Sequence, residues 1–442
     1  MSLPFFKNLA GRQESRSGIA NSIVEVHQKW AVPLLILLCI LGWYFNTGTL
    51  APYAATLPAP VVDPRTGLLA NWDDAHHIAV MEMLSGNEDY WKGSVMFRRP
   101  LHAWLCLPLN PLISYRYSGV ILNLLLYIVA MLWLWDEVSY RENARVGFYS
   151  LMLLCSYPGF TYWAGQPYSY GIIAPGSLVC YIVLRRLVVE TRLIRVASLG
   201  LLAGIVFLGY DLYIVYLPAF ALALAVRRRW WQLAVSMAMS ILPLAALLMI
   251  FHRAGMPIVN SNSEIYSIIA NAYLKNGPIA VDAGLIRQLI SSFAWSQFLF
   301  LPCGLVLCLI PAARNGIRLD ECSLGVSLLS LCCFLNLAPP YEGWQMRGDF
   351  MNRLYQPGFA ALVVVLARVA AAKPRIGVPV VVVVCLMQFL VVFSGAAGLS
   401  LMHPCYERFY PHARAGVYSE NLRKYGCRPI GFTSPVADSP LK

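Results

Sequence analysis

Charged side chains are scarce in this sequence. They make up 13% of its 442 residues, whereas 58% of the residues are hydrophobic and the mean hydropathy is +0.59. An ordinary soluble domain carries about 25% charged residues, so the composition excludes that class and predicts an integral membrane protein. The net charge of +12 is scattered in clusters beside the apolar runs. Because this pattern fits membrane topology better than a basic patch, we expect no nucleic-acid partner.

The sequence also lacks several processing and ligand-binding signatures. Its 12 cysteines form no CxxC pair and no zinc-ligand spacing. The segment 1–29 is polar and basic, and no small-residue cleavage site closely follows the first apolar run, so we expect a retained helix there. No internal repeat stands out. In the C-terminal segment, Cys405 and Cys427 could pair as a disulfide in an oxidising compartment.

Long apolar runs alternate with short basic links throughout the chain. They predict an all-α, polytopic membrane protein with about eleven transmembrane helices. The transmembrane module is expected over 30–398, between a cytoplasmic segment 1–29 and a short periplasmic tail 399–442. The predicted helices are 30–46, 117–135, 146–161, 170–187, 196–209, 212–226 and 231–251, two that flank Arg314 and Arg318, and two that flank Arg368, Lys373 and Arg375.

Basic residues indicate the orientation of these helices. Every link assigned to the cytoplasm carries at least two Arg or Lys residues, whereas the short outer links 161–169 and 210–213 carry none. The longer outer loops are predicted at 47–115, 252–297 and 339–352.

Two segments of the first outer loop predict helices that lie on the membrane instead of crossing it. The apolar residues of 73–84 fall roughly on one helical face, which is typical of an amphipathic surface helix. The segment 101–113 is apolar but short, and it contains Pro108 and Pro111. We therefore interpret it as a second interfacial helix.

The same loop concentrates charge. It holds the adjacent carboxylates Asp73 and Asp74 and the adjacent guanidiniums of Arg98 and Arg99. Acidic residues also favour helix N-termini, and arginines also reach towards lipid headgroups. Charge held beside hydrocarbon is nevertheless costly and usually functional. A carboxylate can act as a general base and a guanidinium binds phosphate, so the loop indicates a phosphate leaving group and a nucleophile that loses a proton.

The run DDAHHIAVMEMLSGNEDYW, followed by FRRPLHAW, resembles the first outer loop of the GT-C glycosyltransferases that use polyprenyl phosphate. The nearest branch holds the protein O-mannosyltransferases and the lipid A aminoarabinose transferase. Later in the chain, NRLYQPGFAAL resembles the family's Arg-Tyr-x-x-Pro entry to a late helix. The matched positions are the acidic pair Asp73-Asp74, the helix end Met83-Leu84-x-Gly86 and the basic-proline motif Arg99-Pro100-Leu101.

Three positions depart from the family pattern. The acidic pair is Asp-Asp where Asp-Glu is commoner, His76-His77 replaces an Arg-Tyr pair, and one of two prolines is missing. These departures bear on the sugar and the acceptor more than on the type of reaction.

The resemblance implies an inverting glycosyltransferase at the periplasmic face of a bacterial inner membrane. It would move a sugar from a polyprenyl-phosphate carrier to a cell-envelope acceptor, such as a lipid-linked glycan, O-antigen or other lipopolysaccharide, or a protein. Asp73 is the expected base, with Asp74 as the second choice. The donor phosphate is expected to contact Arg98, Arg99, His76 and Arg353. Residues expected to line the cavity are His77, His102, Asp211, Arg347 and Tyr355.

Two other classes of function stay open. A transporter or flippase for a lipid-linked sugar usually shows repeats and helices broken near the midplane, which this sequence lacks. A polysaccharide polymerase or ligase would also use outer loops, but such enzymes usually depend on arginines without a carboxylate pair. No cofactor is expected. A divalent metal held by outer histidines with Asp73 and Asp74 is not favoured, because no spacing is diagnostic.

Overall fold

The computed structural model contains helices and no strand among the residues that it describes. These residues are 30–45, 99–109, 111–113, 115–164, 171–253, 318–336 and 356–394, with short pieces between 270 and 306. The helices are α1 (Trp30–Phe45), α2 (Pro100–Cys106), α3 (Tyr115–Arg141), α4 (Ala144–Cys155), α5 (Pro158–Ala164), α6 (Ile173–Leu187), α7 (Leu193–Phe207), α8 (Tyr216–Val226), α9 (Trp230–Arg253), α10 (Leu319–Asn336), α11 (Phe359–Ala372) and α12 (Pro374–Ser394). Two 3-10 helices, Asp211–Val215 and Gln356–Gly358, precede α8 and α11.

Three of these helices are long and apolar enough to cross a membrane. They comprise Ser118–Arg141, Trp230–Ile250 and Pro374–Phe393, and shorter apolar helices accompany them. The described chain is therefore an all-α, polytopic membrane protein, as its composition predicts. The predicted segments 1–29 and 399–442 lie outside the described residues.

The predicted interfacial segment forms a short helix. α2 has seven residues, a length of about 10 Å that cannot cross a bilayer. Turns follow at 107–109 and at 111–113, where prolines interrupt the helical pattern. The predicted amphipathic helix over 73–84 lies outside the described residues.

The segment predicted as one helix over 146–161 is two helices in the structure. α4 ends at Cys155, and the Ser156 hydroxyl donates back to the carbonyl of Met152 at 3.0 Å. α5 then begins at Pro158. Proline has no backbone N–H and its ring collides with the preceding helical turn, so it starts a helix readily but does not continue one.

Small residues hold α7 and α9 together. A Cβ atom on Gly200 would lie 2.6 Å from the carbonyl oxygen of Ser236, and one on Gly204 would collide with Ser240. The Ser240 hydroxyl donates to the carbonyl of Gly200 at 3.1 Å. Close backbone approach over a Gly-x-x-x-Gly pair is a typical contact between membrane helices.

Stacked aromatic rings form the centre of the bundle. Tyr127 of α3 stacks on Phe160 of α5 with 3.7 Å between ring centroids. Tyr157 stacks on Phe359 of α11 at 4.3 Å. The hydroxyl of Tyr127 donates to the Leu154 carbonyl at 2.7 Å, which satisfies a polar group that is fully buried.

Arginines near the ends of several helices meet at one end of the bundle. Glu142, at the end of α3, accepts hydrogen bonds from Arg185 of α6 and from Arg368 of α11, both at 2.8 Å. Arg368 also donates to Glu321 of α10 at 2.8 Å. Burial raises the pKa of Glu142, but the bonds and charges of Arg368 and Arg185 outweigh it and hold that pKa below its usual value. We call this the basic end; the positive-inside rule predicts that it faces the cytoplasm.

Candidate functional site

α2 packs at the end of the bundle opposite the basic end, which we call the far end. Pro100 occupies the first position of α2, where its missing N–H costs nothing, and Arg99 is the N-cap. The Leu101 N–H donates to the carbonyl of Leu208, just past α7, at 3.4 Å. The residues that open α2 are therefore held at the junction of α3 and α7.

Arg99, one of the expected phosphate contacts, is buried against an aromatic ring. Its side chain is 9% exposed, and its guanidinium carbon Cζ lies 4.3 Å from the centroid of the Tyr210 ring. Stacking uses the face of a guanidinium and leaves its in-plane N–H groups for acceptors, and those groups match phosphate oxygens. The structure thus shows Arg99 buried and stacked on Tyr210, and its contact with a phosphate stays a prediction.

His102 is fully buried and connects α2 to α3. Its Nε2 lies 2.8 Å from Oδ1 of Asn123, and Sγ of Cys106 lies 3.9 Å from its Nδ1. Burial lowers the pKa of His102 to about 4, although its hydrogen bonds oppose that shift. The imidazole is therefore neutral at physiological pH, and its Nε2–H donates to Asn123. Its place in the cavity wall stays a prediction, but the structure gives it a direct role in holding α2.

Tyrosine hydroxyls fasten the turn that carries Tyr210. Tyr213 donates to the carbonyl of Ile172. Tyr216 donates to the carbonyls of Ser177 at 3.0 Å and Pro357 at 2.8 Å. The 3-10 helix Asp211–Val215, which contains Tyr213 and is followed by Tyr216, begins directly after Tyr210. The backbone of Asp211 is therefore at the far end, and the predicted place of this residue in the cavity wall stays a prediction.

Gln356 is a far-end residue that sequence reasoning missed. It opens the 3-10 helix Gln356–Gly358, which packs against α6 and Asp211–Val215. Gln356 is 1% exposed, and neither its Oε1 nor its Nε2 has a hydrogen-bond partner among the described residues. Buried amides are nearly always paired, so these atoms mark a polar position in an apolar surrounding. The signal was present in the sequence, as a glutamine between Tyr355 and Pro357 at the start of an apolar helix.

Two other contacts at the far end were also absent from the sequence reasoning. Tyr210 supplies the ring beneath Arg99, and Asn123 is an amide within the apolar run of α3. A lone amide in a membrane helix signals a polar partner, which here is His102.

Most of the predicted site residues lie outside the described residues. This holds for both members of the acidic pair, and the predictions for all of these positions stay predictions. Within the part of the chain that the structure describes, no three His, Cys, Asp or Glu side chains are grouped as metal ligands. The predicted site residues outside it are Asp73, Asp74, His76, His77, Arg98, Arg347, Arg353 and Tyr355.

The bundle of apolar helices defines a polytopic membrane protein with the GT-C type of fold. Two solved structures with this fold are those of ArnT from Cupriavidus metallidurans, one bound to undecaprenyl phosphate and one in the apo state. The ligand-bound structure has a TM-score of 0.56 at 13% sequence identity, and the apo structure has 0.55 at 11%. Each comparison covers 85% of this chain and 78% of ArnT. Family models and curated proteins gave no match.

Proposed function

We propose that this chain is a glycosyltransferase that moves a sugar from a polyprenyl-phosphate carrier to a cell-envelope acceptor. The acceptor would be a lipid-linked glycan, O-antigen or another lipopolysaccharide. The reaction would take place at the periplasmic face of a bacterial inner membrane, where the far end would lie if the basic end faces the cytoplasm.

The observation that carries this proposal is the position of Arg99. It is a buried guanidinium at the far end, stacked on Tyr210, on a chain whose fold is similar to that of a protein solved with undecaprenyl phosphate. A partly desolvated guanidinium binds a phosphate more strongly than an exposed one does, because water competes less for its N–H groups. Arg98 and Arg353 are proposed as further contacts to that phosphate.

The proposed chemistry needs one base and one anion-binding group. Asp73 accepts the proton of the acceptor hydroxyl as its oxygen attacks the anomeric carbon. The bond between that carbon and the phosphate oxygen breaks on the opposite face, which inverts the configuration. The electron pair leaves with the polyprenyl phosphate, whose developing charge Arg99 stabilises. Asp74 orients the acceptor or replaces Asp73 as the base.

Mass spectrometry of envelope glycans provides the test in cells. We expect cells that lack the chain to lose one sugar substituent, and cells that regain the wild-type chain to recover it. The mass of the missing group identifies the sugar, and the molecule that loses it identifies the acceptor. An unchanged profile of glycans and glycoproteins would contradict the proposal.

A second measurement separates transfer from transport. The purified chain in lipid vesicles is supplied with the lipid-linked sugar and an envelope-glycan extract, and release of polyprenyl phosphate is followed with time. A transferase releases the carrier phosphate, whereas a flippase moves the lipid-linked sugar without consuming it. Movement across the bilayer without release would favour the transporter alternative.

A further inference from the structure

A cavity lies at the basic end, far from the proposed transferase site. It has a volume of about 250 Å³, enough for roughly eight waters. It opens between the last turns of α3, α6 and α8 and the first turn of α10. Four arginines line it, Arg141, Arg185, Arg227 and Arg318, together with the carboxylate of Asp320 and an apolar wall that includes Val188 and Leu319.

The carboxylates beside this cavity do not balance its arginines. Glu142 forms ion pairs with Arg185 and Arg368, both at 2.8 Å, and with Arg318 at 3.4 Å. One carboxylate thus faces three guanidiniums, and Glu321, the second partner of Arg368, lies in the same network. An excess of positive charge that is partly shielded from water favours an anion in the adjoining space.

Two arginines of the cavity have N–H groups for which no acceptor is described. Arg185 is 3% exposed, and its Nε has no hydrogen-bond partner among the described residues. Arg227 donates to the carbonyl of Val188 at 2.8 Å, and no described carboxylate pairs with it. The Nε of Arg185 is buried away from the cavity, so a ligand there cannot reach it, whereas the exposed guanidiniums of Arg227 and Arg318 can donate to ligand oxygens.

The remaining polar groups of the wall limit what the cavity accepts. Arg141 is paired with Glu137, which it shares with Arg186, so this guanidinium is already engaged by a carboxylate. Asp320 is 6% exposed and repels an anion that approaches the start of α10. The free donor capacity therefore lies on the side of Arg227 and Arg318, where a compact group with several oxygens can meet more than one guanidinium.

We propose that this cavity binds a phosphate group, supplied either by inorganic phosphate or by the headgroup of an anionic phospholipid. The guanidiniums of Arg227 and Arg318 donate to its oxygens, Arg185 adds positive charge from the wall behind them, and the apolar wall beside Val188 accepts the carbon next to a phosphate ester. None of these residues belongs to the proposed transferase site, so the inference stands independently of that function.

The test compares two neighbouring arginines in the purified full-length chain. Arg227→Gln removes a guanidinium of the cavity, and Arg228→Gln removes the same charge from an exposed residue that does not line it. The thermal unfolding midpoint in detergent is measured against inorganic phosphate, with chloride at equal ionic strength as the reference. A ligand that binds only the folded state raises the midpoint, because at free concentration c it stabilises that state by RT ln(1 + c/Kd).

We expect phosphate to raise the midpoint of the wild type and of Arg228→Gln. For Arg227→Gln we expect an affinity at least about tenfold weaker, because a charge-assisted hydrogen bond is lost. Arg227→Lys should recover part of it. If Arg227→Gln does not fold without phosphate, Arg318→Gln, whose side chain is 45% exposed, replaces it in the comparison.

Lipid nanodiscs distinguish the two sources of phosphate. The same variants are compared in phosphatidylcholine discs with and without phosphatidic acid. Stabilisation by phosphatidic acid that depends on Arg227 identifies a lipid headgroup, and stabilisation by inorganic phosphate alone identifies the free anion. Equal responses of all variants, or no response to either probe, would overturn the proposal.

Discussion

The guanidinium of Arg99 lies on the ring of Tyr210, with 4.3 Å between Cζ and the ring centroid. Arg99 is the N-cap of α2, and Tyr210 directly precedes the 3-10 helix Asp211–Val215. Two segments that are distant in the chain are thereby joined at the far end, and the contact holds the guanidinium in one orientation.

Removing the ring beneath Arg99 should weaken binding of the proposed polyprenyl-phosphate carrier. We expect Tyr210→Ala to bind undecaprenyl phosphate about 2- to 30-fold more weakly, because a partly desolvated cation–π contact contributes about 0.5–2 kcal/mol. Tyr210→Phe keeps the ring and should stay near the wild-type affinity. Titration of undecaprenyl phosphate into nanodisc-embedded protein checks this, and equal affinity for the alanine and phenylalanine variants would be the contrary result.

The proposed base should be indispensable for turnover. Asp73→Asn keeps the size of the side chain but cannot accept the acceptor's proton, so we expect the rate of carrier release to fall by about 10²- to 10⁴-fold. Asp74→Asn should have the smaller effect. Initial rates are measured with protein of matched expression and thermal midpoint. Near wild-type turnover by Asp73→Asn would move the role of base to another group.

Burial of His102 should make stability depend on acid. Its pKa in the folded chain is about 4, below the ordinary value near 6.5. The unfolded chain therefore binds a proton more readily between these two values. Stability from the neutral imidazole is complete above about pH 6.5 and is lost as the pH falls towards 4, by up to roughly 3 kcal/mol.

His102→Gln removes this titration but keeps a donor for Asn123. We expect the wild type to lose more stability than this variant between pH 7 and pH 4.5, as measured by thermal unfolding in detergent. The carboxylates titrate in both proteins. The difference between their two curves of stability against pH therefore isolates the contribution of His102. Parallel curves would show that the imidazole is accessible to protons in the folded state.

Close packing of α7 on α9 should not tolerate a methyl group. At Gly200 a Cβ would lie 2.6 Å from backbone of the neighbouring helix, so Gly200→Ala should destabilise the chain by about 1–3 kcal/mol. Gly325 of α10 has nothing within 4 Å of a built Cβ. Gly325→Ala is therefore the matched control, and it should be neutral or stabilising by up to about 1 kcal/mol. Thermal midpoints of both variants decide the question.

Loss of the shared carboxylate should destabilise the basic end. Glu142→Gln leaves Arg185 and Arg368 without their common partner, and breaking a buried ion pair costs about 3–5 kcal/mol. Arg195→Gln breaks a pair in which Arg195 is 60% exposed and should cost at most about 1 kcal/mol. The free energies of unfolding of the two variants are compared at neutral pH. Similar losses of stability would contradict the ion-pair network around Glu142.

Glu142 should also contribute to acid sensitivity. Its pKa is held below the usual value of 4.5, so the folded chain releases its proton more readily than the unfolded chain does. The resulting stability is complete above pH 4.5 and is lost as the pH falls through the lower value of the folded state. The Glu142→Gln variant should lack this component of the pH profile.

Much of the bundle could be predicted because hydropathy is a local property. The helices predicted over 30–46 and 231–251 appear in the structure close to their predicted places, and the one predicted over 117–135 appears as the longer helix Tyr115–Arg141. The break before Pro158 follows from a single proline, a signal that the uniform hydropathy of 146–161 concealed. Basic links likewise predicted which helix ends share a side, and their arginines meet at the basic end.

The sequence by itself determined the class of protein and the order of its apolar helices, and it singled out Arg99 as a candidate phosphate contact, which stays a prediction. Each depends on residues that are close together in the chain. Only the tertiary structure decided that Tyr210 supports Arg99, that Asn123 holds His102, and that Gln356 is buried without a described partner. Such pairings depend on how the helices pack. In a membrane most apolar helix faces are equally stable against lipid, so hydropathy does not specify that packing.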